Sequence, residues 1–97
     1  MGRDEVLKTL RARRAELAKR FGVRDLALFG SFARGEERPE SDIDILVEFD
    51  GPPTFDGYLE LRDFLGALLG PRVDVVTVGA LRPRVRERVM KELLRVA

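Results

Sequence analysis

Residues 26–47, LALFGSFARGEERPESDIDILV, constrain the fold of this 97-residue chain more than any other segment. The segment begins with the apolar run 26–29, which is typical of a buried strand. Gly30 and Ser31 end that run, and a short helix and a polar loop are expected before the next apolar run. That run predicts a second strand over 43–49. The segment therefore predicts two buried strands that are connected by a Gly-Ser break, a short helix and a polar loop.

Two aspartates stand at the start of the second predicted strand. Alternate side chains of a strand share one face, so Asp42 and Asp44 are expected to point the same way, with Cα atoms roughly 6.5 Å apart. Two neighbouring carboxylates repel one another and raise a pKa unless a cation lies between them. Mg²⁺ suits such a pair, because it commonly binds one or two carboxylates together with substrate phosphates.

The turn at Gly30 and Ser31 predicts a site for an anion. It leaves backbone N–H groups free at the beginning of a short helix, where anions bind. An anion site and a pair of metal ligands on adjacent elements indicate a nucleoside triphosphate site. Taken separately, each motif has a simpler interpretation: Asp42-Ile43-Asp44 as a solvated strand entry, and Gly30-Ser31 as an ordinary turn.

The composition limits the chemistry. The chain contains no cysteine and no histidine, which excludes a Ser-His-Asp triad, a cysteine nucleophile and a zinc site with histidine or thiolate ligands. Metal chemistry must therefore use carboxylates, which favours Mg²⁺ or Mn²⁺. Asn and Gln are also absent and arginine far exceeds lysine. This bias fits a thermophilic source, although genome composition could produce it as well.

Asp74 is a third acidic candidate. It interrupts the β-branched run VDVVTV, where a buried carboxylate is unfavourable unless it is paired. It could be an edge-strand charge that faces water. Alternatively, it meets Asp42 and Asp44 across the sheet as a third metal ligand or a base.

The spacing Gly30-Ser31, ten residues, Asp42-x-Asp44 resembles the signature of the nucleotidyltransferase superfamily that includes DNA polymerase beta. The fuller stretch GSFARGEERPESDIDILV is similar to the minimal nucleotidyltransferases of bacteria and archaea, which are often encoded beside a HEPN-domain protein. The resemblance extends over essentially the whole chain. It implies a single minimal nucleotidyltransferase domain over residues 1–97.

The resemblance also implies roles for individual residues. Gly30, Ser31 and Arg34 match the part of the motif that binds the triphosphate of ATP. Asp42 and Asp44 would hold two Mg²⁺ ions roughly 3.5–4 Å apart. Asp74 is the position that fits the third carboxylate of the family, on a later strand. Arg38 is a further cation near the site, but the glutamates around it could simply pair with it.

The family's setting implies a partner. In it, the minimal nucleotidyltransferase is an antitoxin that transfers AMP to a tyrosine of a HEPN toxin. Three alternatives stay open: an antitoxin that neutralises its partner by binding alone, transfer to a small hydroxylated molecule, and a nucleic-acid-binding module. The last is not favoured, because no aromatic residues are interleaved with the basic ones.

Charge is segregated along the chain although its net value is only +1. Residues 25–79 carry four Lys/Arg against twelve Asp/Glu, a balance of −8, whereas both flanking segments are basic. The basic flanks could meet an acidic partner or form solvated helix faces. No apolar run approaches transmembrane length and no signal peptide is recognised, so we expect a soluble, cytoplasmic protein without a membrane partner.

The remaining elements complete an α/β fold with the order α-β-α-β-α-β-α. The sequence predicts a small mixed sheet of about three strands packed with flanking helices, as in nucleotidyltransferases. The predicted strands cover 25–29, 43–49 and 72–78. The predicted helices run from Asp4, the N-cap, to Arg20, over 31–36, and from the N-cap Thr54 to Gly70. A last helix is predicted to begin at Pro83, with an apolar stripe formed by Val85, Val89 and Leu93.

Overall fold

The computed structural model describes residues 1–96. Within them, five helices and four strands alternate along most of the chain. The elements are α1 (Arg3–Ala12), α2 (Arg14–Phe21), β1 (Val23–Phe29), α3 (Gly30–Arg34), β2 (Ile43–Phe49), α4 (Phe55–Leu69), β3 (Val73–Thr77), a single 3-10 turn (Val78–Ala80), α5 (Pro83–Glu92) and β4 (Leu94–Arg95).

The four strands form one mixed sheet in the order β3-β2-β1-β4. Strand β1 pairs antiparallel with β2 on one side and with β4 on the other, whereas β2 and β3 run parallel. A parallel pair needs a crossover connection, and α4 supplies it. The predicted class, a small mixed sheet with flanking helices, is confirmed, with four strands in place of about three.

The additional strand is β4, which the sequence analysis missed. It pairs with Ala27 and Leu28 of β1, and the N–H of Val96 then donates to the carbonyl of Leu26 at 3.0 Å. Val96 is almost fully buried. A two-residue strand is too short to show an alternating pattern, which is why the sequence did not predict it. It forms because the edge of β1 is free to pair.

The last helix differs from its prediction at its end and on its face. It begins at Pro83 as expected, but it ends at Glu92, so Leu93 lies outside it. Val89 is buried, whereas Val85 is 41% exposed. The stripe prediction was therefore wrong for Val85 and Leu93, and α5 buries a narrower face than its sequence suggests.

The predicted first helix is divided in two. Arg13 leaves helical geometry, with φ −105° and ψ 6°, and its N–H bonds the carbonyl of Leu10 at 3.1 Å. The expected N-cap was also wrong, because Gly2 precedes the first helical residue and Asp4 lies in the first turn. A carboxylate oxygen of Glu37 instead accepts the N–H of Arg3 at 2.8 Å.

One face of the sheet forms the main core. Alternate residues of β2 turn towards the helices α1, α2 and α4, and their side chains are buried with those helices' apolar stripes. The core residues from these elements include Val6, Leu10, Leu17, Ile43, Ile45, Val47, Leu61 and Leu65. The other set of β2 residues, which includes Asp44, therefore faces the opposite side of the sheet.

Helix α5 covers part of that second face. Ala27 and Leu46 share a groove with Arg86, Met90 and Leu93. The end of the sheet where Asp44 lies is bordered instead by α3 and the end of α5. Within residues 1–96, no helix combines the length and apolar character that crossing a bilayer requires.

Helix α4 begins and ends as its sequence predicts. The side-chain oxygen of Thr54 accepts the N–H of Gly57 at 2.9 Å, which satisfies one of the free donors at the helix start. Gly70 follows the last helical residue with φ 108°. The hydroxyl of Tyr58 donates to the carbonyl of Val75 at 2.6 Å and ties α4 to β3.

Candidate active site

Two of the predicted acidic residues lie side by side on neighbouring strands. Asp44 of β2 is in register with Asp74 of β3, and on its other side it is in register with Phe29 of β1. Residues in register on adjacent strands, roughly 4.8 Å apart, present their side chains on the same face. The sheet therefore brings Asp74 beside Asp44, on the same face.

Asp42 lies just before β2, on an exposed segment. A turn positions this segment, because the N–H of Ser41 donates to the carbonyl of Arg38 at 2.9 Å, while the Ser41 hydroxyl accepts the Arg38 N–H at 2.9 Å. The N–H of Ile43 then donates to the carbonyl of Arg72 at 2.8 Å, which starts the pairing of β2 with β3. Asp42 thus precedes Asp44 at the same end of the sheet.

Burial and neighbouring acidic charges both act on Asp44. The pKa of Asp44 is raised from 3.8 to about 6, first by burial and then by the negative charges of Asp74 and Asp42, while the charge of Arg34 opposes the rise. Glu92 contributes a smaller rise. Asp44 is only half-buried, whereas Asp42 and Asp74 are exposed. A perturbed carboxyl in such a group is typical of functional sites.

Gly30 makes close approach to Asp44 possible. It has φ +70°, a conformation that side chains with a β-carbon rarely adopt, and a β-carbon placed on it would overlap the carboxylate of Asp44. The chain turns here from β1 directly into α3. The Gly-Ser turn and the second aspartate of the Asp-x-Asp motif are therefore in contact.

Arg34 lies between two glutamates. Its Nε donates to Glu36 at 2.5 Å and its Nη1 donates to Glu92 at 3.1 Å. The hydrogen bond to Glu36 and, to a smaller extent, the hydrogen bond to Glu92 raise the pKa of Arg34 above its usual range. The guanidinium is thus at the site, but it is already paired.

Glu92 is the residue of this cluster that the sequence analysis did not identify. Besides Arg34, its carboxylate accepts the N–H of Gly30, at 3.3 Å. It is the last residue of α5, far along the chain from both partners, and no local motif marks it. Only its position at the end of α5, where the chain turns towards β4, brings it here.

The structure gives less support to the roles predicted for Ser31 and Arg38. Ser31 is half-buried in α3, and its carbonyl accepts the N–H of Glu36 at 2.9 Å. Its hydroxyl makes no hydrogen bond to another group within residues 1–96. Arg38 is exposed in the turn before Asp42, and its side chain forms no ion pair with any described residue.

The donor set suits a hard divalent cation, since the site offers carboxylate oxygens and neither imidazole nor thiolate. As placed, however, the acidic side chains of residues 1–96 do not converge into a group of three or more at metal-binding spacing. Burial, followed by the charges of Asp74 and Asp42, raises the pKa of Asp44, and a bound cation would offset both effects by favouring the ionised carboxylate. The chemistry of the residues fits Mg²⁺ or Mn²⁺.

A mixed sheet with a Gly-Ser turn packed against an Asp-x-Asp strand and a third aspartate on the next strand defines a nucleotidyltransferase. Residues 8–96 match the family model described as a nucleotidyltransferase domain, and the chain belongs to this family. The expectation of an enzyme of this class is confirmed.

The relatives are similar in length as well as sequence. The protein adenylyltransferase MntA of Thermococcus cleftensis is 42% identical over 93 residues, which are 96% of this chain and 94% of the relative. A solved structure assigned as a minimal nucleotidyltransferase is 43% identical, with a TM-score of 0.77 over 97% of this chain and 95% of the other.

A more distant structure shares the fold alone. A chain of the complex between a tri-AMPylated HEPN toxin and an MNT antitoxin of Shewanella oneidensis is 19% identical, with a TM-score of 0.66 over 94% of this chain and 71% of the other. The predicted nucleotidyltransferase-like fold is thus confirmed at both levels of similarity.

Proposed function

We propose that this enzyme transfers AMP from ATP to a hydroxyl of a partner protein, in a reaction that depends on Mg²⁺. The acceptor is a tyrosine of a HEPN-type toxin, and the modification neutralises that toxin. The observation that carries the proposal is the in-register placement of Asp44 and Asp74, with Asp42 just before them and Gly30 packed against Asp44. Acidic groups and the Gly-Ser turn therefore lie at one end of the sheet, which supports a site for a triphosphate and its metal ions.

The relatives support the choice of substrate and partner. The relative from Thermococcus cleftensis is named a protein adenylyltransferase, and it matches nearly the whole chain. The Shewanella oneidensis complex pairs an AMPylated HEPN toxin with an MNT antitoxin. Transfer to a protein therefore has more support than transfer to a small hydroxylated molecule.

Each acidic residue has a role in the proposed reaction. Asp42, Asp44 and Asp74 would hold divalent cations, which supply charge neutralisation at the α-phosphate and at the departing pyrophosphate. The backbone N–H of Gly30, the hydroxyl of Ser31 and the guanidinium of Arg34 would bind the phosphates. Asp74 is exposed on the edge strand and could also take the acceptor's proton, since it is accessible from solvent.

The transfer itself is a displacement at phosphorus. The acceptor hydroxyl oxygen forms a bond to the α-phosphorus of ATP, and the bond from that phosphorus to the α,β-bridging oxygen breaks. The hydroxyl proton passes to Asp74, and pyrophosphate leaves with the electron pair of the broken bond. This chain's contribution is to fix the α-phosphate in line with the acceptor and to neutralise the charge that develops.

The proposal is tested with purified components. The protein is incubated with ATP, Mg²⁺ and a HEPN-type toxin as the partner, and intact mass spectrometry then measures the mass of that partner. We expect the partner to gain the mass of one or more AMP groups, and the ribonuclease activity of the partner to fall in parallel. Chelation of Mg²⁺ with EDTA should prevent both changes.

Matched variants separate catalysis from binding. Asp42→Asn and Asp44→Asn should abolish transfer, whereas Asp63→Asn, which removes an exposed acid on α4, should leave it unchanged. Equal transfer by wild type and Asp44→Asn would overturn the proposed mechanism. If Asp44→Asn transferred nothing yet neutralised the partner fully, neutralisation by binding alone would be the better account.

A further inference from the structure

Glu92 lies at the proposed site and makes contacts that the proposed reaction does not use. One carboxylate oxygen, Oε1, accepts the N–H of Gly30 at 3.3 Å, and the other, Oε2, lies 3.1 Å from Nη1 of Arg34. The side chain is only 23% exposed, although it belongs to the last turn of a surface helix. Both oxygens are thus directed into the site and not into solvent.

We infer that Glu92 is an internal anion that competes with the phosphates of the nucleotide and so sets the affinity of the enzyme for its nucleotide substrate. The inference rests on the proposed function, which assigns the Gly30 N–H and the Arg34 guanidinium to the phosphates. A carboxylate and a phosphate oxygen seek the same donors, and charged groups make the strongest of these bonds. An N–H that donates to Glu92 is not free to donate equally to a phosphate.

The charge of Glu92 adds to this competition. It is a fourth carboxylate at this end of the sheet, because it accepts the N–H of Gly30, the residue that itself packs against the carboxylate of Asp44. A triphosphate approaching the site meets this charge as repulsion. Removing the charge should therefore help the nucleotide to bind even where no hydrogen bond is exchanged.

The opposite role is also physically possible, and it predicts the opposite sign. If Glu92 served to orient Arg34 towards the phosphates, its removal would weaken nucleotide binding. Arg34 is already held by Glu36 at 2.5 Å, a shorter contact than that with Glu92 at 3.1 Å. A second glutamate is thus not needed to hold the guanidinium at the site, which favours competition.

The test measures binding without turnover. Isothermal titration calorimetry gives the Kd of AMP-PNP and of inorganic tripolyphosphate at saturating Mg²⁺ for wild type, Glu92→Gln and Glu92→Ala. We expect both variants to bind both ligands about three- to tenfold more tightly, because one charged competitor is lost from a partly exposed site. The effect on tripolyphosphate matters most, since this ligand reports on the phosphate donors alone.

Glu87→Gln is the matched control. Glu87 is an exposed glutamate of the same helix, and it forms an ion pair with Lys91 at 3.8 Å. The control should leave the Kd of both ligands unchanged, so that a general change in surface charge can be recognised. Thermal melts of all variants confirm that they remain folded, and the more conservative Glu92→Gln is informative even if Glu92→Ala unfolds.

The possible results distinguish a failure of this inference from a failure of the proposed function. Unchanged or weaker binding by folded Glu92→Gln, with binding by wild type intact, overturns this inference and leaves the proposed function standing. If neither wild type nor Glu92→Gln binds AMP-PNP, the proposed function and the inference both fail. A tighter Kd for Glu92→Gln with an unchanged Glu87→Gln supports the inference.

Discussion

Gly30 and Asp44 lie so close together that a β-carbon at Gly30 would overlap Oδ2 of Asp44. The contact joins the turn that follows β1 to the strand β2, and it brings the backbone of Gly30 against the carboxylate of Asp44. Glycine is required for two separate reasons at this position, the positive φ and the missing β-carbon. The two motifs that identify the family thus form one structural unit.

This contact predicts that Gly30→Ala removes activity. The new methyl group must displace the carboxylate of Asp44, so we expect AMP transfer to fall by more than about 100-fold, as a displaced catalytic group can cause. The strained φ should also lower the free energy of unfolding by about 1–2 kcal/mol. Transfer kinetics and chemical denaturation measure the two effects.

Gly22→Ala separates the two causes. Gly22 has nearly the same backbone angle, φ +68°, but a β-carbon there would meet nothing within 4 Å. This variant should lose a similar amount of stability and keep its activity. Comparable loss of activity in both variants would show that backbone strain, and not the contact with Asp44, is responsible.

Asp44→Asn should stabilise the folded protein at neutral pH in metal-free buffer. The pKa of Asp44 is about 6 in the fold and about 3.9 in an unfolded chain. Between these values the folded state binds more protons at Asp44, so the contribution of Asp44 to stability falls as pH rises from about 4 to 6 and stays lower above it. Asparagine carries no charge, and after discounting for solvent screening we expect it to gain about 1–2 kcal/mol at pH 7.

Denaturation of both proteins across pH 4–8 in EDTA measures this difference. The advantage of Asp44→Asn should be nearly absent at about pH 4 and should reach its full value above about pH 7. An advantage that is constant over the whole range would contradict an origin in the ionisation of Asp44.

Asp74→Asn should lower the pKa of Asp44. The charge of Asp74 raises that pKa through space, second only to burial, and the two residues are in register on neighbouring strands. Titration of the Asp44 carboxyl by NMR in metal-free buffer reports the pKa directly. Asp63→Asn, on the exposed side of α4, should leave the titration unchanged. A pKa that did not move in Asp74→Asn would show that the two carboxylates do not interact.

Thr54→Ala should weaken the start of α4. The Thr54 side chain accepts the N–H of Gly57 at 2.9 Å, and loss of such a cap lowers stability by about 1 kcal/mol. Thermal and urea denaturation measure the change. Thr9→Ala, inside α1, is the matched control and should be neutral or slightly stabilising, because alanine is the better helix former. Equal loss in both variants would argue against a capping role.

The sequence determined the local elements of this protein. Strand β2, the cap at Thr54 and the start of α5 at Pro83 all follow from patterns that span a few residues. The placement of Asp42 and Asp44 at one end of β2 follows in the same way, because alternation along a strand is a property of the backbone itself. The Gly-Ser turn could also be located from the sequence alone.

Only the tertiary structure decided which distant residues meet. It placed Asp74 in register with Asp44, divided the first helix at Arg13, and formed β4 on the edge of β1. It also brought Glu92 to Gly30 from 62 residues away. Such contacts depend on how the whole core packs and on which strand edges remain free to pair. Both are set by many residues along the whole chain, so a short sequence pattern does not predict them.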